Sequence, residues 1–406
     1  MKREARDFRE TAPKPVKRIS LDIKHPRLRL LLVILALVIA AGAFFFAFRN
    51  LVGVEPGWTL LEVDGAVGIN VSSDFRLQVE LGAGSETPLA ERKRLTTVWS
   101  AATREAYTLY TTQEYVTGVN SLWYINHHPG EEIRVDRKLY RALEKSLAAG
   151  DWLYLGPVYE VWDSVWFSRE DREAAGADPR KDAEIAAYLA EVTGFIRSGG
   201  IRLELRDGEN VCLVLSDAYR AFGEENGVTR WLDFGWQKNA FIIDDLADAL
   251  AASGWTRAVL SSTDGFIRCL DGRGSFTLNM YADTGAVTQI AQMEYRGPAS
   301  LLMLLPSPGG DRRYAYRYQD GTLRTAWISP EDGLDVQPVD GLAAYADGEG
   351  CADLLCRYLS LLTRSGATDT EWSEAAGNDG ALWLARNGVL SSMGNDRLTV
   401  VNAETK

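Results

Sequence analysis

The sequence predicts an α+β domain carried behind one N-terminal membrane-spanning helix. Three observations predict it. An uninterrupted apolar run occupies residues 30–48, after a basic lead. Short stretches such as Phe75-Arg76-Leu77-Gln78-Val79 and Ile201-Arg202-Leu203-Glu204-Leu205 alternate with the two-residue period of half-buried strands. Between them stand segments with apolar residues three and four apart, the period of helices packed on a sheet.

With 406 residues the chain can hold one large domain or two smaller ones, and 46% hydrophobic content supplies a core. The net charge of −12 argues against a general nucleic-acid binder. None of Cys212, Cys269, Cys351 and Cys356 stands in a zinc-type spacing. Cys351 and Cys356 do not share a helix face, which argues against a bridge between them. Cys212 and Cys269 both lie in strand-like runs and could pair or stay buried thiols, and nothing in the sequence decides between these.

Residues 1–29 are basic and contain Pro13, Pro15 and Pro26, so they read as a cytoplasmic tail. The run at 30–48 is about 19 residues, enough to span a bilayer as a helix. Only Arg49 follows it closely, so the positive-inside rule puts the rest of the chain outside the cell membrane. A cleaved signal peptide is the alternative, but the long basic lead and the lack of a small-residue cleavage site favour an uncleaved anchor. Residues 49–69 read as a connector with one possible strand, 70–395 as the outer domain and 396–406 as a tail.

Within the outer domain, Thr87-Pro88 opens a helix striped by Leu95, Val98, Ala102, Ala106 and Leu109. Residues 120–130 read as a surface loop with His127 and His128, for which a metal or general-base role is the alternative. A helix from Asp136 carries Leu139, Leu143 and Leu147 and stops at Gly150. The aromatic stretch after Gly156-Pro157 is either core or a wall for stacking a ring. Asp178-Pro179 reads as the cap of the next helix, and Asp207-Gly208 turns a hairpin.

The stretch Trp231–Arg268 organises the rest. An apolar segment runs into Gly235; Ile242, Leu246, Ala249 and Leu250 then share a helix face that Gly254 ends. A buried strand, Ala258-Val259-Leu260, leads to Asp264-Gly265. Asp244, Asp245 and Asp248 read as a solvated helix face, with a metal site as the alternative. Further strand-like runs occupy 275–280, 290–295, 300–305, 312–318 and 325–328. A late helix has Asp353 in its first turn, where the dipole favours a carboxylate, and a terminal hairpin follows. No Walker, Rossmann or GxSxG fingerprint is present.

Leu232-Asp233-Phe234-Gly235, Phe241 to Asp244, Ala258-Val259-Leu260 and Gly265-Phe266-Ile267-Arg268 together resemble the signature of the FAD:protein FMN transferases, the ApbE family. Gly156-Pro157 and Ala352-Asp353 extend the resemblance. It implies an ApbE-like α+β domain of mixed or antiparallel sheets with packed helices. It also implies transfer of FMN from FAD to a Ser or Thr of an extracytoplasmic electron-transport protein, with magnesium. Asp233, Gly235, Lys238, Asn239 and Gly265 would then face the flavin nucleotide, and Asp353 the metal, across a pocket between the Gly235 turn and the late helix.

The chain departs from the family pattern at several places. Trp236 replaces a Gly, and Asn239 stands where the family has Lys, with Lys238 one place earlier. Ala326 replaces a His and Ser329 an Asp. Arg357 replaces the Thr that would share the metal, and could instead pair with Asp353. Residues 216–229 are an insertion. No catalytic residue is implied. A non-catalytic module binding flavin, nucleotide or a partner protein is the alternative function.

Overall fold

The computed structural model describes residues 26–52, 54–61, 71–307, 314–377, 381–394 and 398–402. Its contacts divide the chain into Met1–Val54 and Glu55–Lys406. In the first unit, helix α1 spans Pro26–Val52, and Leu30, Val33, Leu37 and Phe44 on it are more than half exposed. Among the described residues no helix is long and apolar enough to cross a membrane. The expected span at 30–48 runs on into residues 45–48, whose side chains lie outside the described set. Residues 1–25 of the basic tail, and parts of the connector and C-terminal tail, lie outside it too.

The second unit opens with β1 (Gly57–Leu60), β2 (Phe75–Leu81) and α2 (Pro88–Tyr110), the last capped by Thr87 as expected. Then come α3 (Leu122–His127), β3 (Glu132–Arg134), α4 (Arg137–Ala149), α5 (Gly156–Trp166), α6 (Asp171–Ala177) and α7 (Ala183–Arg197). The hairpin β4 (Ile201–Arg206) and β5 (Asn210–Leu215) precedes α8 (Asp217–Asn226) and α9 (Lys238–Ala252). Strands β6 (Ala258–Ser262), β7 (Phe266–Cys269), β8 (Ser275–Asp283), β9 (Val287–Arg296) and β10 (Ala299–Leu304) follow. The chain closes with the short pair β11 (Tyr316–Arg317) and β12 (Leu323–Arg324), β13 (Gly341–Asp347), α10 (Cys351–Leu362), α11 (Asp369–Ala376), β14 (Ala381–Arg386), β15 (Val389–Gly394) and β16 (Thr399–Asn402).

Eight strands form the main sheet in the order β1-β2-β6-β7-β10-β13-β14-β15, every neighbouring pair antiparallel. Central β10 is buried along its whole length, which is why it reads as a continuous apolar run rather than an alternating one. On one face Leu301, Met303, Ala343 and Trp383 pack against Leu278, Met280, Ala291 and Met293 of the β8–β9 hairpin. The pleat turns Leu302 and Leu304 to the other face, and α9 and α10 pack against strands of this sheet. A smaller antiparallel sheet, β3-β5-β4, lies with the helices between α2 and α9 in sequence.

Several local expectations are corrected. Residues 122–127 form a helix, capped by Ser121, where the sequence reads as a loop. Each histidine there folds back on the aromatic ring one turn earlier, His127 on Trp123 and His128 on Tyr124, with centroids 3.7 and 3.9 Å apart. Asp182, not Asp178-Pro179, caps α7; Asp178 is buried and accepts Arg324 Nε–H at 2.8 Å. Of the run at 312–318, residues 312–313 lie outside the described residues and only Tyr316–Arg317 of the described ones form a strand; 325–328 supplies only an isolated bridge from Ile328 to Asp335. All four cysteines are free thiols, and Cys212 and Cys269 belong to different sheets.

Candidate functional site: a tyrosine-lined cavity at the Gly235 turn

Helix α2 ends at Tyr110, and the chain leaves it extended through Thr111. The segment 230–235 runs alongside, held by backbone-like bonds from two directions. The Asn126 side chain grips Leu232 at both ends, donating to its carbonyl at 2.9 Å and accepting its N–H at 2.8 Å. Asp233 N–H donates to Leu153 O at 2.9 Å. This close approach sets two glycines. A Cβ on Gly156, where α5 begins, would lie 2.1 Å from Arg230 O. Gly235 has φ of +54°, and a Cβ there would strike the Tyr159 ring at 2.7 Å. Asp233 Oδ1 closes the turn by accepting Gly235 N–H at 2.7 Å.

The result is a cavity of about 330 Å³ between the end of α2, the inner face of α5, the 230–235 segment and the first turns of α9. Tyr107, Tyr110, Tyr159, Phe167 and Tyr314 give it aromatic walls. Its charged groups are Asp163, Asp233, Arg230 and Lys238. Arg230 bridges the two acids: Nη2 donates to Asp163 Oδ2 at 2.8 Å and Nη1 lies 3.4 Å from Asp233 Oδ2. Burial pushes the Asp163 carboxyl up to about 6, only partly offset by the guanidinium. Burial works against the Arg230 charge, but the two acids outweigh it and its proton is held more tightly than usual. Burial also raises the phenols of Tyr159 and Tyr110, which therefore stay neutral; Tyr110 O–H donates to Asp245 Oδ2 at 2.9 Å.

Of the residues singled out in the sequence, Asp233, Gly235 and Lys238 line this cavity together. Asn239, one residue on, turns elsewhere: its Nδ2 donates to Asp264 Oδ2 at 3.0 Å. Gly265 lines a second cavity, of about 320 Å³, with Ser262, Thr263, Asp264, Asn279 and the apolar ends of β8 and β10. A Cβ on Gly265 would lie 2.0 Å from Met303 O, so this glycine serves the close approach of β10.

Asp353 lines neither cavity. It completes the opening of α10, accepting Gly350 N–H at 3.3 Å, and Lys145 Nζ sits 2.8 Å from its Oδ2. Arg357 pairs with Glu349, not with Asp353. The Asp353 carboxylate already has an ammonium partner, and the residue one turn on is cationic, so these side chains do not fit a magnesium ion. Among the described residues there is no group of three or more His, Cys, Asp or Glu placed to hold a metal.

The acids of α9 are not a solvated face. Asp244 caps α10, and Asp245 takes the Tyr110 hydroxyl; only Asp248 is exposed. Sequence reasoning missed Arg230, Asp163 and Asn126. Asn126 stood beside two histidines that drew the chemical argument, and no local pattern marks an amide that will grip a remote backbone.

No family model and no curated protein matches the chain. Solved structures do. A flavin transferase ApbE from Vibrio cholerae superposes with a TM-score of 0.55 at 13% identity, covering 84% of this chain and 97% of that one. The ApbE protein of Thermotoga maritima gives 0.53 at 12% identity, covering 78% and 93%. The flavinyl transferase ApbE of Pseudomonas stutzeri gives 0.51 at 12% identity, covering 84% and 95%. The chain thus has the fold of the ApbE flavin transferases.

Proposed function

We propose that the chain is a flavin-transferase-like protein, anchored in the cell membrane by residues 30–48, whose outer domain takes the ring system of FAD in the tyrosine-lined cavity. One observation carries this reading. Two stretches that resemble the family in sequence, Gly156-Pro157 and Leu232 to Gly235, are remote in the chain, yet Gly156 packs against Arg230 O, and Asp233 and Gly235 line the cavity with Tyr159 and Asp163 of the helix that Gly156 opens. The cavity suits a planar ring. Its volume is at the lower end of the roughly 300–1,000 Å³ usual for small-molecule sites. Tyr107, Tyr110, Tyr159 and Tyr314 supply stacking surfaces, and Lys238 supplies a cation for a phosphate at its rim.

Bound FAD would supply FMN: a Ser or Thr hydroxyl of an extracytoplasmic electron-transport protein would form a P–O bond to the FMN phosphorus and give up its proton, as the pyrophosphate P–O bond breaks and AMP leaves. Asp163, whose carboxyl burial pushes up to about 6, would be the group that accepts the hydroxyl proton. The engagement of Asp353 by Lys145 favours a second reading, a module that binds flavin without transferring it. The basic residues before the apolar run, and the exposed apolar side chains from Leu30 to Phe44, support the anchor and the outside location of the domain.

The test is a titration of the purified protein with FAD, followed by tryptophan fluorescence, then incubation with a family-type acceptor. Saturable quenching that Lys238→Ala weakens supports the cavity, and a fluorescent acceptor band in a gel supports transfer. Quenching without labelling leaves the binding module. A flat titration removes flavin from the account altogether.

A further inference from the structure

We propose that a hard divalent cation sits behind the second cavity, held by Asp264 and Asn239 with the charge of Asp74 beside them. The site is independent of the flavin reading and lies apart from Asp353.

The argument starts from unmet acceptors. Asp264 is 8% exposed and Asn239 4%. They share one hydrogen bond, Asn239 Nδ2 to Asp264 Oδ2 at 3.0 Å, yet Asp264 Oδ1 and Asn239 Oδ1 each have no donor and no exposure to water. Both orphans are acceptors, one an amide carbonyl oxygen and the other a carboxylate oxygen. A buried acceptor left so costs about 1–3 kcal/mol, more when it is charged. Two such acceptors on directly bonded side chains call for a positive partner.

A second carboxylate acts on Asp264. Asp74 is 5% exposed, its carbonyl accepts Thr263 N–H at 2.9 Å, and its carboxylate acts on Asp264 in the direction of a like charge. Besides burial and Asp74, the largest influences on Asp264 are the Ser262 hydroxyl, its own backbone N–H and Asn239. A divalent ion on the orphaned Asp264 oxygen would also feel the Asp74 carboxylate. The donors are carboxylate, amide and hydroxyl oxygens, the set that suits calcium or magnesium and not a softer metal. Ser262, Thr263 and Asn279 line the adjoining cavity, which has room for the water ligands such ions keep.

Burial pushes the Asp264 carboxyl up to about 6, so a proton is the rival occupant. The two differ in what they respond to. The full-length chain, stripped with a chelator and exchanged into sodium chloride at pH 7.5, is titrated with calcium chloride or magnesium chloride while its melting temperature is followed. A saturable rise of about 5 °C at a hundredfold excess over the dissociation constant is expected with one of the two. The rise should vanish in Asp264→Asn and persist in Asp353→Asn. Two results overturn the proposal: no saturable rise with either ion, including a protein that responds only to acid; or a rise that survives Asp264→Asn. Should Asp264→Asn fail to fold, Asn239→Ala gives the same comparison, since it removes one of the two orphaned oxygens and leaves both carboxylates.

Discussion

Asp244 on α9 accepts the backbone N–H of Ala352 at 3.0 Å and that of Cys351 at 2.9 Å, so the start of α10 is capped by a residue more than a hundred positions earlier. The same contact explains Gly350, where a Cβ would lie 2.3 Å from Asp244 Oδ2. Arg268 Nε, 3.5 Å from Asp244 Oδ1, balances the charge. Asp244→Ala strands two N–H groups at a helix start and removes the carboxylate beside the Arg268 guanidinium, which keeps Ser300 and the Glu349 carbonyl. It should lower unfolding free energy by about 1–3 kcal/mol, read from urea titrations.

Arg230 makes the second prediction. It is 8% exposed and stands between Asp163 and Asp233 in the cavity. Arg230→Ala leaves two carboxylates facing each other without a counter-charge, a change worth about 3–5 kcal/mol when a buried pair is broken. Lowering the pH should relieve part of the loss, because Asp163 takes up a proton readily. Equal losses at pH 5 and pH 8 would show that the carboxylates escape to water and that the charge argument is wrong.

Gly235→Ala should damage both stability and binding. The position has φ of +54° and the new methyl would meet the Tyr159 ring at 2.7 Å. A loss of about 1–3 kcal/mol is expected, together with weaker FAD quenching because Tyr159 is part of the wall. A variant with native stability but no quenching would place the effect in the cavity alone.

A pH dependence follows from Asp245. Burial raises its carboxyl from 3.8 to about 7, with the Tyr110 hydroxyl opposing the shift. The folded protein therefore binds this proton more tightly than the unfolded chain. Its contribution is complete below the unfolded value and is lost as the pH climbs through about 7. Asp245→Asn keeps an acceptor for Tyr110 and has no proton to lose. Wild type should thus lose stability relative to this variant between pH 4 and pH 7.5; parallel curves would refute the assignment.

Much of the fold was legible in the sequence because period carries it. Phe75, Leu77, Val79 and Leu81 alternate inward as written, and Leu139 and Leu143 line the buried side of α4. The Asp207-Gly208 turn and the stop at Gly254 also follow from local rules. The cavity was legible in part: Asp233, Gly235 and Lys238 stand close together in sequence, so a motif can show them. Asp163 and Arg230 come from separate elements and meet only through packing. Asp353 went the other way. Its place near a helix start was readable, but the approach of Lys145 from α4 is a tertiary event that no spacing records.

The order of strands in the main sheet has a consequence for how the chain assembles. From β1 to β15 the neighbours follow the order of synthesis without a reversal. Each strand that arrives finds an open edge left by one made before it, and none has to wedge into a ladder already closed. A polypeptide delivered N-terminus first can therefore extend this sheet outward from one side, with the unfinished margin always at the newest strand.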